Sequence, residues 1–291
     1  MSTTLHVVPP ETADAAPTLG HLRAELDRLD DTLHDTLMRR SEIVAQIAAS
    51  GVKGKVPLRP GREAAITRRL LARHQGALPA VGIERIWRAL IVAMTQQQRP
   101  MLLTVAEAEG GPAYVALARE HFGALTPLRL RRTPAQALAE ISSGVATAAI
   151  LPLPAEGETP GAAWWTALLQ RDDPRIHVVA RLPFWATRPE GAADAQAFVV
   201  CAAAPDPSGQ DRSLLGLEFA SDVSRARIAS LVAAAGFDAG VTIVRRDEYA
   251  VHALVDVAGF VADGDPRLTS LSATRAAVVV GAYAVPIGAS A

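Results

Sequence analysis

Between Leu19 and Ile47, apolar residues recur at Leu19, Leu22, Leu26, Leu29, Leu33, Leu37, Val44 and Ile47, mostly in steps of three and four. That spacing predicts one stripe along a long helix, close enough to a heptad to pack lengthwise against another helix. At ~1.5 Å per residue the helix runs roughly 45 Å, longer than a small domain is wide. It has to find partners along its whole length. Arg40 interrupts the stripe where the next apolar residue is due. A guanidinium on a packed face is costly unless an anion meets it there, and a rim arginine turned toward water is the other reading.

Thr18 suits the N-cap of this helix, and Gly51, Gly54, Pro57 and Pro60 end it near Ser50. A second helix is predicted from about Gly61 to His74, with Ile66, Leu70 and Leu71 on its apolar face. A third runs from about Val81 to Gln98, with Ile83, Trp87, Leu90 and Met94 on one side, and Pro100 follows it. Three helices of these lengths cannot enclose the long stripe within one chain. A dimer that pairs the long helices can.

After Met101 the texture changes. LLTVA, a helical 115–122, LRLRR, a helical 134–143 and the run VATAAILPLP read as β-α-β-α-β, half of an open α/β domain. Residues 176–185 and 197–203 supply two further strands, and Pro205–Gln210 a polar linker. From Leu214 the order is strand, helix (225–235), strand (241–246), strand (250–257), short helix (266–274) and strand (276–283), a ferredoxin-like pattern. Trp164 and Trp165 sit beside a proline-rich loop, as core packing or as the wall of a small-molecule cleft.

The chain has 291 residues, room for two or three domains. A net charge of −1 argues against a general binder of nucleic acid or membrane surfaces. One cysteine, Cys201, excludes an intramolecular disulfide and a thiolate metal cluster. No apolar run approaches ~18 residues, and the first residues lack a basic stretch followed by an apolar core. The expectation is a cytoplasmic protein with residues 1–17 as a flexible tail.

Polar groups interrupt all three predicted apolar faces. Glu63 stands three positions before Ile66 and seven before Leu70, Gln98 continues the third helix's series, and Arg40 lies on the first stripe. Arg23 flanks that stripe some seventeen residues, ~25 Å along the axis, from Arg40. Buried charges need partners. The residues read either as internal ion pairs, such as Arg40 with Glu63, or as a pocket for a small dianion. No serine–histidine pair, reactive cysteine or metal cluster accompanies them.

LRAELDRLDDTLHDTLMRRSEIV, RPGREAAITRRLL and IERIWRALIVAMTQQQ together resemble the all-helical chorismate mutase family. The resemblance covers residues 18–98. It implies an intertwined dimer of three-helix protomers that converts chorismate to prephenate by pericyclic rearrangement, with no covalent intermediate, cofactor or metal. Arg23 resembles the arginine lent to the partner's site, and Arg40 the one gripping a substrate carboxylate. Arg62 and Glu63 match the Arg-Glu pair, the glutamate receiving the substrate hydroxyl. Gln98 matches the glutamine beside the ether oxygen. The family's lysine falls at Gly51 by direct count; Lys53 takes its place after a small shift, and Lys55 is the next candidate. The family's aspartate and serine align with Arg59 and Met94.

The downstream order resembles bifunctional chorismate mutase–prephenate dehydratases. Leu153-Pro154-Ala155-Glu156 stands where their Pro-Ile-Glu-Asn motif is expected, and Gln196-Ala197-Phe198 where Thr-Arg-Phe is expected. This implies a reduced dehydratase-like α/β module over 101–204, and the alternative is a bifunctional enzyme. Residues 211–288 resemble an ACT regulatory domain, which implies an aromatic amino acid as a possible effector. The whole is expected to be an all-α three-helix mutase domain (18–100), an α/β module and an α+β ferredoxin-like domain. A non-catalytic sensor that keeps the mutase fold is the remaining alternative.

Overall fold

The computed structural model describes residues 18–50, 56–107, 111–159, 161–170, 172–271 and 274–288. The expected tail, Lys53 and Lys55 lie outside them. The chain divides into two compact units, Met1–Ser50 and Gly51–Ala291.

Among its described residues the first unit holds helix α1 (Leu19–Ala49). Thr18 caps it as its position predicts, its Oγ1 accepting from the His21 amide at 3.3 Å. No residue of α1 is buried, and six stripe residues, among them Leu19, Leu26 and Leu29, are between 41% and 64% exposed. Leu37, Arg40, Ser41 and Val44 form a half-buried patch one turn apart.

In the second unit, α2 (Pro60–Arg73) and α3 (Ala80–Gln98) precede β1 (Leu103–Ala106), α4 (Gly111–Phe122), β2 (Leu128–Arg131), α5 (Pro134–Ser142) and β3 (Ala148–Pro152). Then come β4 (His177–Leu182), β5 (Ala197–Cys201), β6 (Asp211–Ala220), α6 (Arg225–Ala234), β7 (Ala239–Arg246), β8 (Ala250–Ala258) and β9 (Ala276–Ala284). The nine strands form one sheet in the order β2-β1-β3-β5-β4-β9-β6-β8-β7. β1 pairs in parallel with β2 and β3, as two β-α-β crossovers require. β9-β6-β8-β7 is antiparallel throughout and has the ferredoxin-like strand order.

The two halves join where β4 meets β9 in parallel, in register at Val178 and Gly281. A Cβ at position 281 would stand 2.3 Å from the Val178 carbonyl oxygen, so only glycine lets the backbones meet. Trp164 and Trp165 lie in a short 3-10 helix, Trp164–Leu169. They belong to an apolar cluster that takes Leu151 from β3, Val200 from β5, Leu254 from β8 and Val280 from β9. One core therefore runs beneath both halves. The opposite face of the α/β half is covered through Leu117, Phe122 and Val92, and α6 covers the ferredoxin-like half through Ile228 and Val232.

Two predicted elements differ in extent. The strand expected over 176–185 ends at Leu182, because Pro183 has no amide to donate. The short helix expected over 266–274 is a 3-10 turn, Pro266–Leu268, opened by Asp265 capping the Arg267 amide at 2.9 Å. No helix among the described residues is long and apolar enough to cross a membrane.

Candidate functional site

Helix α2 starts at Pro60, which needs no amide partner in a first turn. Its N-cap, Arg59, makes no side-chain cap; Asp206 of the 205–210 linker does that work instead. The Asp206 carboxylate accepts from the Gly61 amide at 3.0 Å and from the Arg62 amide at 2.8 Å. A Cβ at position 61 would lie 1.9 Å from the Asp206 carbonyl oxygen, so the approach requires glycine. Arg68, one and a half turns on, donates to Ser208 Oγ at 2.8 Å and to the Val285 carbonyl at 2.6 Å. Burial holds its guanidinium below its ordinary range, with Asp211 opposing.

Glu63 follows in the first turn, where the helix dipole favours a carboxylate. Its Oε2 accepts from Arg88 Nη1 of α3 at 2.7 Å, and Arg88 Nε stands 3.7 Å from Glu84 Oε1 one turn earlier. These side chains are 13%, 7% and 10% exposed, so the trio is close to a buried ion network. The Arg88 guanidinium also lies 5.7 Å from the centre of the Phe184 ring. Burial pushes the Glu84 carboxyl up while Arg88 pulls it down. Burial, aided by the Arg88 charge, holds the His121 imidazole well below its usual range, so it is neutral near pH 7.

The hollow between Glu63, Arg88, His121 and Arg181 has about 10 Å³ of free volume, no more than one water needs. On the other side of Arg88 a cavity of about 350 Å³ opens, walled by Glu84, Glu120, His121, Phe184 and Trp185. Arg188 grips Glu120 with two hydrogen bonds of 2.7 Å at its rim.

The predicted site residues distribute as follows. Glu63 meets Arg88, so the internal ion pair weighed for Glu63 exists with a partner other than Arg40. Arg62 is adjacent and exposed. Gln98 ends α3, half-buried, its Nε2 donating to the Met94 carbonyl at 3.1 Å. It stands about 15 Å of helix beyond Arg88. Arg23 is exposed and Arg40 half-buried on α1, in the other unit. Lys53 lies outside the described residues.

Sequence reasoning missed Arg88, Glu84, His121 and Asp206. Glu84 and Arg88 carried a signal: an i, i+4 pair of opposite charge inside a helix that is apolar on most sides. Asp206 carried none, since its partners lie 144 and 145 residues away in the chain.

No curated protein matches the chain. Among solved structures, the prephenate dehydratase from Arthrobacter aurescens in complex with L-Phe superposes with a TM-score of 0.49 at 14% identity, covering 65% of this chain and 92% of that one. The prephenate dehydratase from Streptococcus mutans gives a TM-score of 0.42 at 14% identity, covering 63% and 97%. GqqA, described as a novel type of quorum quenching acylase, gives 0.45 at 18% identity, covering 63% and 94%. The helical segment is identified by sequence: residues 22–99, which carry most of α1 and all of α2 and α3, match the family model of chorismate mutase type II.

Proposed function

We propose that this chain is a chorismate mutase, converting chorismate to prephenate in aromatic amino acid biosynthesis. The observation that carries the reading is the family match over residues 22–99, which spans every residue assigned a role. In the rearrangement an ether bond breaks and negative charge grows on its oxygen. Fixed cations and an amide donor aimed there stabilise the transition state more than the ground state. Arg40 and the partner's copy of Arg23 clamp the carboxylates and hold the substrate in its compact reactive form, and Arg62 helps to hold the site. Gln98 and Lys53, or Lys55 in its stead, face the ether oxygen, and Glu63 receives the hydroxyl.

The exposed stripe of α1 supports a homodimer in which the long helices pair. The strand order β9-β6-β8-β7 supports an ACT-like unit over 211–288, with an aromatic amino acid as its effector. Residues 101–204 are the reduced dehydratase-like module, and the cytoplasm is the proposed location.

Loss of chorismate, followed by ultraviolet absorbance, tests the reading with wild type beside Arg40→Ala, Lys53→Ala and Lys55→Ala. Turnover by wild type that falls about a hundredfold or more in Arg40→Ala and in one lysine variant supports it. A folded, dimeric wild type without turnover overturns it.

A further inference from the structure

The cavity of about 350 Å³ beside Arg88 holds one buried charge that the protein leaves largely unclaimed. Around it, Glu63 takes Arg88 at 2.7 Å, and Glu120 takes Arg188 with two hydrogen bonds. That leaves Glu84 and Arg85, neighbours on α3 with opposite fates. Arg85 is exposed and keeps its hydration. The Glu84 side chain is only 10% exposed, and its cation partner, Arg88 Nε, stands 3.7 Å away, beyond hydrogen-bond distance. No other described residue donates to the Glu84 carboxylate. A buried carboxylate without donors has lost its hydration and gained little in exchange, and burial accordingly outweighs Arg88 in raising the Glu84 carboxyl.

Glu84 is also within reach of a ligand. Orphan atoms sealed in the core, such as Arg88 Nε and Glu140 Oε2, have less than 1 Å² of accessible surface. The Glu84 oxygens are not sealed in this way, and the space that Glu84 lines is the cavity. His121 of α4 stands in the same wall, half-buried. Burial and the Arg88 charge keep its imidazole neutral, so one ring nitrogen is an acceptor, and no described residue donates to it. The rest of the wall is mostly apolar, through Leu117, Leu182 and Trp185. The Phe184 ring is already covered by Arg88, whose guanidinium lies 5.7 Å from its centre.

Two acceptors, one of them an anion, beside an apolar wall call for a charged donor carried on an apolar body. An anion would meet Glu84 as a like charge and find its cation only at the exposed Arg85. Among the described residues no three His, Cys, Asp or Glu side chains converge as metal ligands, so the cation that fits is an organic one. We infer that the cavity binds a small primary amine, its ammonium donating to the Glu84 carboxylate and to the free nitrogen of His121, and its hydrocarbon body lying against Trp185 and Leu182. An ammonium brings three donors and gains further from an indole face. The volume is that of roughly a dozen waters, room for one arylalkyl group. The site lies wholly within the second unit and uses no residue assigned a role in the proposed reaction.

The test is calorimetric titration of the full chain at pH 7 with benzylamine, beside benzyl alcohol and benzoate, which keep the ring and lose the cation. Benzylamine is expected to bind, and each of the other two to bind about tenfold more weakly or worse, the worth of one charge-assisted hydrogen bond. Glu84→Gln keeps the shape and removes the charge, and should weaken benzylamine by the same factor. Ala89→Phe fills the cavity from an exposed position of α3 and should abolish binding with Glu84 intact, so it decides the matter if Glu84→Gln does not fold. No benzylamine binding at millimolar concentration would mean that the cavity holds only water, and overturns the inference. Benzoate binding more tightly than benzylamine overturns it too, as does benzylamine binding that either folded variant leaves unchanged. Chorismate turnover is read separately and decides none of these outcomes.

Discussion

Glu63 Oε2 and Arg88 Nη1 are 2.7 Å apart, so the glutamate of the mutase-like Arg-Glu pair is met by an arginine of its own chain. For Glu63 to receive a substrate hydroxyl, that contact has to be shared or exchanged.

Removing one member leaves the other buried and uncompensated. Arg88→Met should lower unfolding free energy by about 3–5 kcal/mol, the range for a broken buried pair. Glu63→Gln combined with Arg88→Met should cost less than the sum of the two single changes. Urea unfolding of the four proteins in a double-mutant cycle reads this, and strict additivity would show that the pair is not coupled.

Asp206→Ala removes the carboxylate that caps α2 from the linker. A lost cap costs about 0.5–2 kcal/mol, so a drop in melting temperature is expected. An unchanged melt would mean that solvent caps the two amides equally well.

Two histidines set an acid limit on stability. Burial holds both His121 and His177 below the ordinary value of 6.5, Arg88 adding to the first and Arg175 to the second. Above the unfolded pKa both states are neutral and the contribution is complete. As pH falls below ~6.5 the unfolded chain takes up protons that the native chain refuses, so stability is lost, at up to ~1.4 kcal/mol per pH unit for each histidine. Glu84 works in the opposite sense at lower pH, since its raised value favours the native state on acidification. Unfolding measured between pH 5 and 7 should therefore show a positive slope with pH that His121→Phe reduces.

Cys201 is fully buried and its thiol is pushed up to about 12, burial being the main cause. The native protein should resist iodoacetamide at pH 8 and react once denatured. Rapid labelling of the folded chain, followed by mass spectrometry, would refute this.

Much of the fold was legible where pattern is local. Thr18 before an apolar stripe predicted the start of α1, and the runs around Leu103 and Ile150 predicted the buried parallel strands β1 and β3. The β-α-β-β order after Leu214 foretold the ferredoxin-like strand order. What stayed hidden is decided by contacts between distant residues. Nothing near Gly61 announces Asp206, and nothing near Val178 announces Gly281. Trp164–Leu169 forms a 3-10 turn because its apolar side chains are needed under two halves of the sheet, a tertiary demand that its own sequence does not express. At the candidate site, Glu63 was recognised from its motif, but its partner Arg88 lay on a face of α3 that the apolar periodicity did not single out.

The meeting of Val178 with Gly281 also fixes where this chain can be cut. β4 is an inner strand only because β9, contributed by the last residues of the ferredoxin-like half, covers it. A fragment ending after β5 would carry β4 as a bare edge, its backbone groups unpaired and Val178 without the cluster partners Leu254 and Val280. Such an edge recruits other strands. The C-terminal half therefore acts as a built-in guard of that edge, and a truncation that separates the halves invites strand-to-strand self-association.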